Sequence, residues 1–283
     1  MRQYSKVYLE ITNRCNLHCS FCPGTRRAPR MMSPAEFRFL AEQLRPVTRY
    51  LYLHLMGEPL LHPDLPELLQ IAGELDILVN ITTNGTLLLQ TEETLINAPS
   101  VRKVSISLHS LEANDGQEFA AYLANGISFA RKAAAAGKLI GLRLWNLDGE
   151  VPGQHTLNDA MLQELHQAFP AEWQPVRGGF QLAERTFLEF GERFEWPDLA
   201  AEEKGEHTFC YGLRDQFGVL CDGTVVPCCL DHEGDLALGN LFVQPLEEIL
   251  TSPRAAAIYE GFSGRKAAEE LCRKCGYAQR FHR

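Results

Sequence analysis

Cys15-Asn16-Leu17-His18-Cys19-Ser20-Phe21-Cys22 sets three cysteines at the spacing C-x3-C-x2-C. The run follows Lys6-Val7-Tyr8-Leu9-Glu10-Ile11, an apolar alternation that reads as a strand. Three thiolates in one short loop can bind three irons of a four-iron, four-sulfur cluster. The fourth iron is then left without a protein ligand, which makes it a place for chemistry. The alternative is a zinc site with His18 as fourth ligand, although zinc pairs usually come as two separated knuckles.

Working outward, the first two-thirds of the chain alternate strand-like and helix-like patterns. Ser33-Pro34-Ala35-Glu36 is a capping box with proline at the first helical position. Phe37, Leu40, Ala41 and Leu44 then recur at helical spacing. Strands are expected over 50–56, 77–82, 101–108 and 139–144, with a sixth around 182–190. Helices are expected over 65–72, 86–97 and 117–136, and again where Leu157, Met161, Leu165 and Phe169 share a face. Repeated β-α units imply a parallel sheet with right-handed crossovers. Six units are too few for a full eightfold barrel, and functional groups should sit at the C-terminal ends of the strands. The cysteine loop follows the first strand, as that rule requires.

Pro197 to Glu206 is polar and acidic and reads as a linker, giving a barrel domain over 1–200 and a module over 201–283. In the module, Asp222-Gly223 between Phe217–Cys221 and Thr224–Val226 signals a hairpin. Cys210 precedes the hairpin, Cys228 follows it, and Cys272-Arg273-Lys274-Cys275 comes late, so four ligands are available. A zinc ribbon could use the same four. Cys221 and Cys229 are left over as buried cysteines or as a hydrogen donor to a substrate radical.

The C-x3-C-x2-C run, with Phe21 before its third cysteine, resembles the radical S-adenosylmethionine (SAM) family. Residues 5–145 and 207–276 carry the likeness. It implies a partial (β/α)6 barrel, a 4Fe-4S cluster on Cys15, Cys19 and Cys22, and SAM chelating the open iron. Reductive cleavage of SAM would give a 5′-deoxyadenosyl radical that takes a substrate hydrogen. Met56-Gly57-Glu58-Pro59 stands where the family holds the SAM amino group, with Met56 in place of a common glycine. Phe21, Gly57, Glu58, Asn84, Ser107 and Arg143 are the expected SAM contacts, Arg143 through the carboxylate. The pattern Cys210, Gly223-x4-Cys228 and Cys272-x2-Cys275 resembles the SPASM/twitch extension. No cysteine follows Cys275, which points to the shortened twitch form with one auxiliary 4Fe-4S cluster.

Two substrate classes follow from the resemblance. One is a small polar molecule, oxidised or epimerised; the other is a peptide or protein, crosslinked, epimerised or oxidised. A barrel starting near residue 5, with no peptide-recognition domain before it, favours the small molecule. A non-catalytic iron-sulfur carrier would need neither an open iron nor a Gly-Glu clamp. Flavodoxin or ferredoxin is the expected electron donor. The chain has 283 residues, nine cysteines and a formal charge of −9. That charge argues against nucleic-acid binding. No apolar h-region and no apolar run of membrane length occur, so the expected location is the cytoplasm, where cysteines serve metal or redox chemistry. The basic patch Arg26-Arg27-Ala28-Pro29-Arg30 is either a solvated loop or an anion contact. His109 reads as a satisfied rim histidine, and Tyr52 and His54 receive no role. Residues 146–206, including Phe194-Glu195-Trp196-Pro197, match no motif.

Overall fold

The computed structural model describes residues 2–113, 118–147 and 156–281. Chain order is β1 (Lys6–Leu9), α1 (Pro34–Leu44), β2 (Tyr50–Tyr52), α2 (Leu65–Glu74), β3 (Leu78–Thr83), α3 (Leu88–Asn97) and β4 (Val101–Ser107). It continues with α4 (Phe119–Ala135), β5 (Leu139–Leu147), α5 (Thr156–Ala168), β6 (Gln174–Val176), β7 (Gly179–Ala183) and β8 (Thr186–Glu192). Then come β9 (Gln216–Val219), β10 (Thr224–Val226), β11 (Gly239–Asn240), α6 (Leu246–Leu250), α7 (Pro253–Ser263) and α8 (Glu270–Arg273). The expected helix start at Gln117 lies outside the described residues.

Strands β1, β2, β3, β4, β5 and β8 are parallel and adjacent, which is the partial (β/α)6 barrel. Their outer faces bury Val7, Leu51, Val79 and Ile140 in one core with Phe37, Leu40, Leu68, Phe129 and Leu165 from the helices. Their inner faces place Tyr8, Tyr52, Asn80 and Lys103 side by side in register. The capping box at α1 is complete: Ser33 Oγ accepts from the Glu36 N–H, and the Glu36 carboxylate accepts from the Ser33 N–H.

The expected single strand over 182–190 is instead two antiparallel strands, β7 and β8. The chain reverses at Glu184-Arg185, with Arg185 at φ +59; a polar, left-handed turn breaks what apolar content alone reads as continuous. The second strand is also shorter than expected, because the chain leaves the ladder after Tyr52 to shape the loop at Met56–Pro59.

The C-terminal hairpin joins the barrel sheet. Strand β9 pairs parallel to β1, with Lys6 opposite Gln216 and Leu9 opposite Val219, and β10 turns back at Asp222-Gly223. Gly223 is at φ +85, as that turn requires. Among the described residues no helix is long and apolar enough to cross a membrane.

One buried carboxylate joins these parts. Glu10, just after β1, has a fully buried side chain and takes both Arg27 guanidinium nitrogens, at 2.8 and 2.6 Å. It also accepts from the Met56 N–H at 3.2 Å and the Cys221 N–H at 3.0 Å. Arg27 donates onward to the His232 carbonyl at 2.7 Å, and Arg30 donates to the Cys221 carbonyl at 2.8 Å and pairs with Glu36. Arg27 and Arg30 of the basic patch are therefore fasteners between the cysteine loop and the C-terminal module. Arg27→Met should cost about 3–5 kcal/mol in urea unfolding, since Glu10 would be left buried and unpaired. Arg26, with a side chain 86% exposed, serves as control, and Arg26→Met should leave the midpoint unchanged. Equal midpoints for the two variants would remove this pair from the stability argument.

Candidate active site

The cysteine loop is held from below by the ends of β1 and β2. Gly57 sits at φ +78, and a Cβ there would collide with the Thr12 carbonyl and stand 2.8 Å from the Arg14 carbonyl. Only glycine lets the β2 loop lie this close to the start of the cysteine loop. The next residue locks the contact: the Glu58 N–H donates to the Arg14 carbonyl at 2.8 Å.

Glu58 is buried, and its carboxylate accepts from the Asn84 N–H at 2.7 Å and the Leu60 N–H at 3.0 Å. Burial pushes its carboxyl up to about 7, against the pull of those donors. Asn84, at the end of β3, is tied down on every side. Its carbonyl accepts from Ser110 Oγ at 2.9 Å and Tyr122 Oη at 2.8 Å. Its side-chain Nδ2 donates to Asn16 Oδ1 at 2.9 Å and reaches the Cys15 sulfur at 3.9 Å. Glu58 and Asn84 thus form one brace behind the first cysteine.

Cys15, Cys19 and Cys22 lie in one loop between β1 and α1. Burial pushes all three thiols up, and for Cys19, which reaches about 12, the neighbouring sulfurs Cys22 and Cys15 add to it. Three sulfurs that crowd one another, with N–H donors at Leu17 and Asn84, suit a cationic multi-iron group. The Phe21 ring packs on His109 at 4.8 Å. His109 Nδ1 lies 3.1 Å from the Arg143 carbonyl and 3.3 Å from the Trp145 N–H, so it is the satisfied rim histidine expected.

A cavity of about 920 Å³ opens beside this loop. Phe21, Ser107 and Arg143 line its upper part, whereas Cys15, Cys19, Cys22, Glu58 and Asn84 lie outside its lining. Arg143 reaches down the lumen, donating to Glu189 at 3.0 Å and Thr82 Oγ1 at 3.2 Å. Cys210, Cys228, Cys272 and Cys275 all line the same cavity. Among the described residues no three ligating side chains are drawn in to the spacing of a single metal ion. Four cysteines lining one cavity match in number what a cluster with one ligand for each iron requires. Burial and the other sulfurs push Cys228 and Cys272 well up, so this donor set also suits a multi-iron group.

The leftover cysteines separate. Cys221 is buried beside Glu10 and Arg30, whereas Cys229 borders the cavity, where burial raises its thiol to about 11 against a hydrogen bond from Tyr8. Phe194-Glu195-Trp196 bridges the two cysteine groups. Trp196 Nε1 donates to the Phe21 carbonyl at 3.0 Å, and the Gly276 N–H donates to the Glu195 carbonyl at 3.1 Å. Sequence reading missed this bridge and the lumen groups Asn80, Lys103 and Glu189. The available signal was polar residues at alternate positions of buried parallel strands, such as Asn80 and Thr82, or Lys103, Ser105 and Ser107.

A model of the Radical SAM superfamily matches residues 9–168, and one of the SPASM iron-sulfur cluster-binding domain matches residues 210–276. The chain belongs to the radical SAM superfamily, and is thus an enzyme that works with a 4Fe-4S cluster and SAM, extended by an iron-sulfur cluster-binding module. It is similar to the PqqA peptide cyclase of Xanthomonas euvesicatoria pv. vesicatoria (strain 85-10), at 34% identity over 301 residues, covering 95% of this chain and 79% of that protein. In shape it resembles BtrN in complex with AdoMet and 2-DOIA, with TM-score 0.63, 17% identity, and 97% and 94% of the two chains covered. It also resembles Streptococcus suis SuiB bound to precursor peptide SuiA, with TM-score 0.62, 17% identity, and 99% and 71% covered.

The raised Glu58 carboxyl has a sign that can be checked. The fold favours its neutral form, so the stability it adds is complete below its unfolded value near 4.5 and is lost as pH rises through about 7. The stability difference between wild type and Glu58→Gln should therefore shrink by about 3 kcal/mol between those limits. Urea midpoints measured across that range check it, and a constant difference would contradict the burial account.

Proposed function

We propose that this chain modifies a peptide, removing a hydrogen atom from one of its carbons to give a crosslink, epimer, thioether or oxidised side chain. The observation that carries the reading is the 34% identity to a PqqA peptide cyclase, sustained over 95% of the chain. In this reading Cys15, Cys19 and Cys22 hold the SAM-binding cluster and leave one iron open to SAM. Cys210, Cys228, Cys272 and Cys275 hold one auxiliary cluster with every iron closed. When bound, these groups supply a 5′-deoxyadenosyl radical and an acceptor for the substrate's electron.

The chain's own residues do the positioning. Glu58 offers its carboxylate to the SAM ammonium, and Gly57 sets the backbone beside it. Asn84 fixes the first cysteine, Phe21 covers the loop against His109, and Ser107 and Arg143 face the SAM ribose and carboxylate. Flavodoxin or ferredoxin serves as electron donor, and the chain divides into a barrel over 1–200 and a cluster module over 201–283. A small polar substrate is the second reading. The match to BtrN over nearly the whole of both chains favours it, as does a cavity within the usual small-ligand range.

The test is anaerobic turnover with SAM and reductant against pools of defined peptides, read by mass spectrometry. A peptide that loses two hydrogen atoms, or exchanges one with solvent, in step with 5′-deoxyadenosine release is the expected result. Release of 5′-deoxyadenosine with every peptide unchanged, and turnover of a polyol or amino sugar instead, would move the assignment to the second reading.

A further inference from the structure

Among the described residues, three buried side-chain polar atoms lack any partner: His54 Nδ1, Asn80 Nδ2 and Trp145 Nε1. All three belong to residues lining the cavity of about 920 Å³. Buried polar groups are normally paired, so three orphans among the lining residues call for a partner the protein does not supply. The other two tryptophan indoles are satisfied, Trp173 on the Phe169 carbonyl and Trp196 on the Phe21 carbonyl.

The chemistry of the lower two orphans is defined. Asn80 is 3% exposed, and its Oδ1 accepts from Arg102 at 3.1 Å. Arginine only donates, so the amide oxygen faces it and the NH2 is the end left without a partner. A register shift between Val79 and Asn80 in the β3–β4 ladder lets Arg102 and Lys103 both line the lumen. His54 is neutral, because burial and then the Arg143 charge push its imidazole down to about 3.

The charge balance has a sign. Lys103 and Arg143 share one carboxylate, Glu189, which they hold below its usual value in spite of burial. Glycine at 141 permits this convergence, since a Cβ there would stand 2.8 Å from Glu189 Oε1 and 3.2 Å from Lys103 Cε. Glu189 and Asp231 are the carboxylates lining the cavity, and Arg102, Lys103 and Arg143 together with Lys6 leave its side chains with an excess of positive charge.

We propose that the lumen at His54 and Asn80 is an anchoring subsite for a carboxylate carried by the substrate. Asn80 Nδ2 donates to it directly, His54 offers an Nδ1–H, and Arg102 and Lys103 supply the field. Lys103 is opposite Asn80 in register, and Ser107 lies four residues further along β4, so the anchor sits about 13 Å below the rim. A peptide's C-terminal carboxylate or an extended acidic side chain fits that depth. Trp145, nearer the rim, gives its indole N–H to an acceptor higher on the same substrate. The subsite deepens the peptide reading and rests on it for the source of the carboxylate.

The experiment is calorimetric titration of cluster-reconstituted, SAM-saturated enzyme, so that the SAM carboxylate site is already filled. Two pairs of blocked dipeptides serve as probes. Acetyl-Ala-Ala acid against its amide tests a chain terminus, and acetyl-Ala-Glu-amide against acetyl-Ala-Gln-amide tests a side chain. At least one acid should bind about tenfold or more tighter than its uncharged partner. Asn80→Asp keeps the Arg102 contact but repels an anion, and should erase that preference while iron content and SAM affinity stay unchanged. Lys103→Met should weaken the same acid without affecting its uncharged partner. Equal binding of acid and uncharged probe, or a preference that survives Asn80→Asp, overturns the subsite. If the preference fails while peptides are still modified, only the subsite falls. If it holds while no peptide is ever modified, the peptide reading falls and the subsite stands for a small acid.

Discussion

Glu10 is the constraint on which the arrangement of the two cysteine groups depends. A carboxylate removed from water is costly unless fully paired. This one is satisfied only when three separate segments converge on it: Arg27 beyond the cysteine loop, Met56 at the end of β2 and Cys221 in the C-terminal hairpin. The desolvation cost makes partial assembly unfavourable, so the cysteine loop, the Gly57-Glu58 loop and the module are set together. Arg27 carries the constraint onward to the His232 carbonyl, and Trp196 closes the other side on Phe21.

That convergence gives the site its division of labour. Glu58 and Asn84 brace Cys15 from behind: two backbone N–H groups hold the Glu58 carboxylate, and the Ser110 and Tyr122 hydroxyls hold the Asn84 carbonyl. The lumen is different: it holds charged groups, orphaned donors and room for a substrate. Cys210, Cys228, Cys272 and Cys275 line this cavity, whereas Cys15, Cys19 and Cys22 lie outside its lining. The fold therefore separates the hydrogen-bonded brace behind Cys15 from a cavity whose lining carries more cationic than anionic side chains.

The barrel was legible in the sequence because its signals are local. Period-2 apolar segments, the Ser33-Glu36 cap and the three-cysteine run are all read within a few residues. The Asp222-Gly223 turn was likewise local. Glu10 was not legible, since it sits in an alternating strand pattern and its partners lie 17, 46 and 211 residues away. The parallel pairing of β9 with β1 is hidden for the same reason. Lys103 and Glu189 looked like ordinary polar positions, because sequence does not tell a lumen face from a solvent face. The break at Arg185 was missed because a non-glycine left-handed residue leaves only a weak signal. The preference for a small substrate rested on length and layout, and similarity along the chain to a PqqA peptide cyclase favours the peptide instead.

The central claim is that one cysteine group is open to SAM and the other is closed. Mössbauer spectroscopy of the anaerobically reconstituted enzyme, recorded before and after SAM addition, tests it most directly. The account predicts about eight irons per chain in two four-iron clusters, with SAM altering the spectrum of one cluster only. That response should vanish when Cys15, Cys19 and Cys22 are changed to alanine, leaving about four irons undisturbed. A single cluster accompanied by one stoichiometric zinc, or two clusters that both respond to SAM, would contradict it.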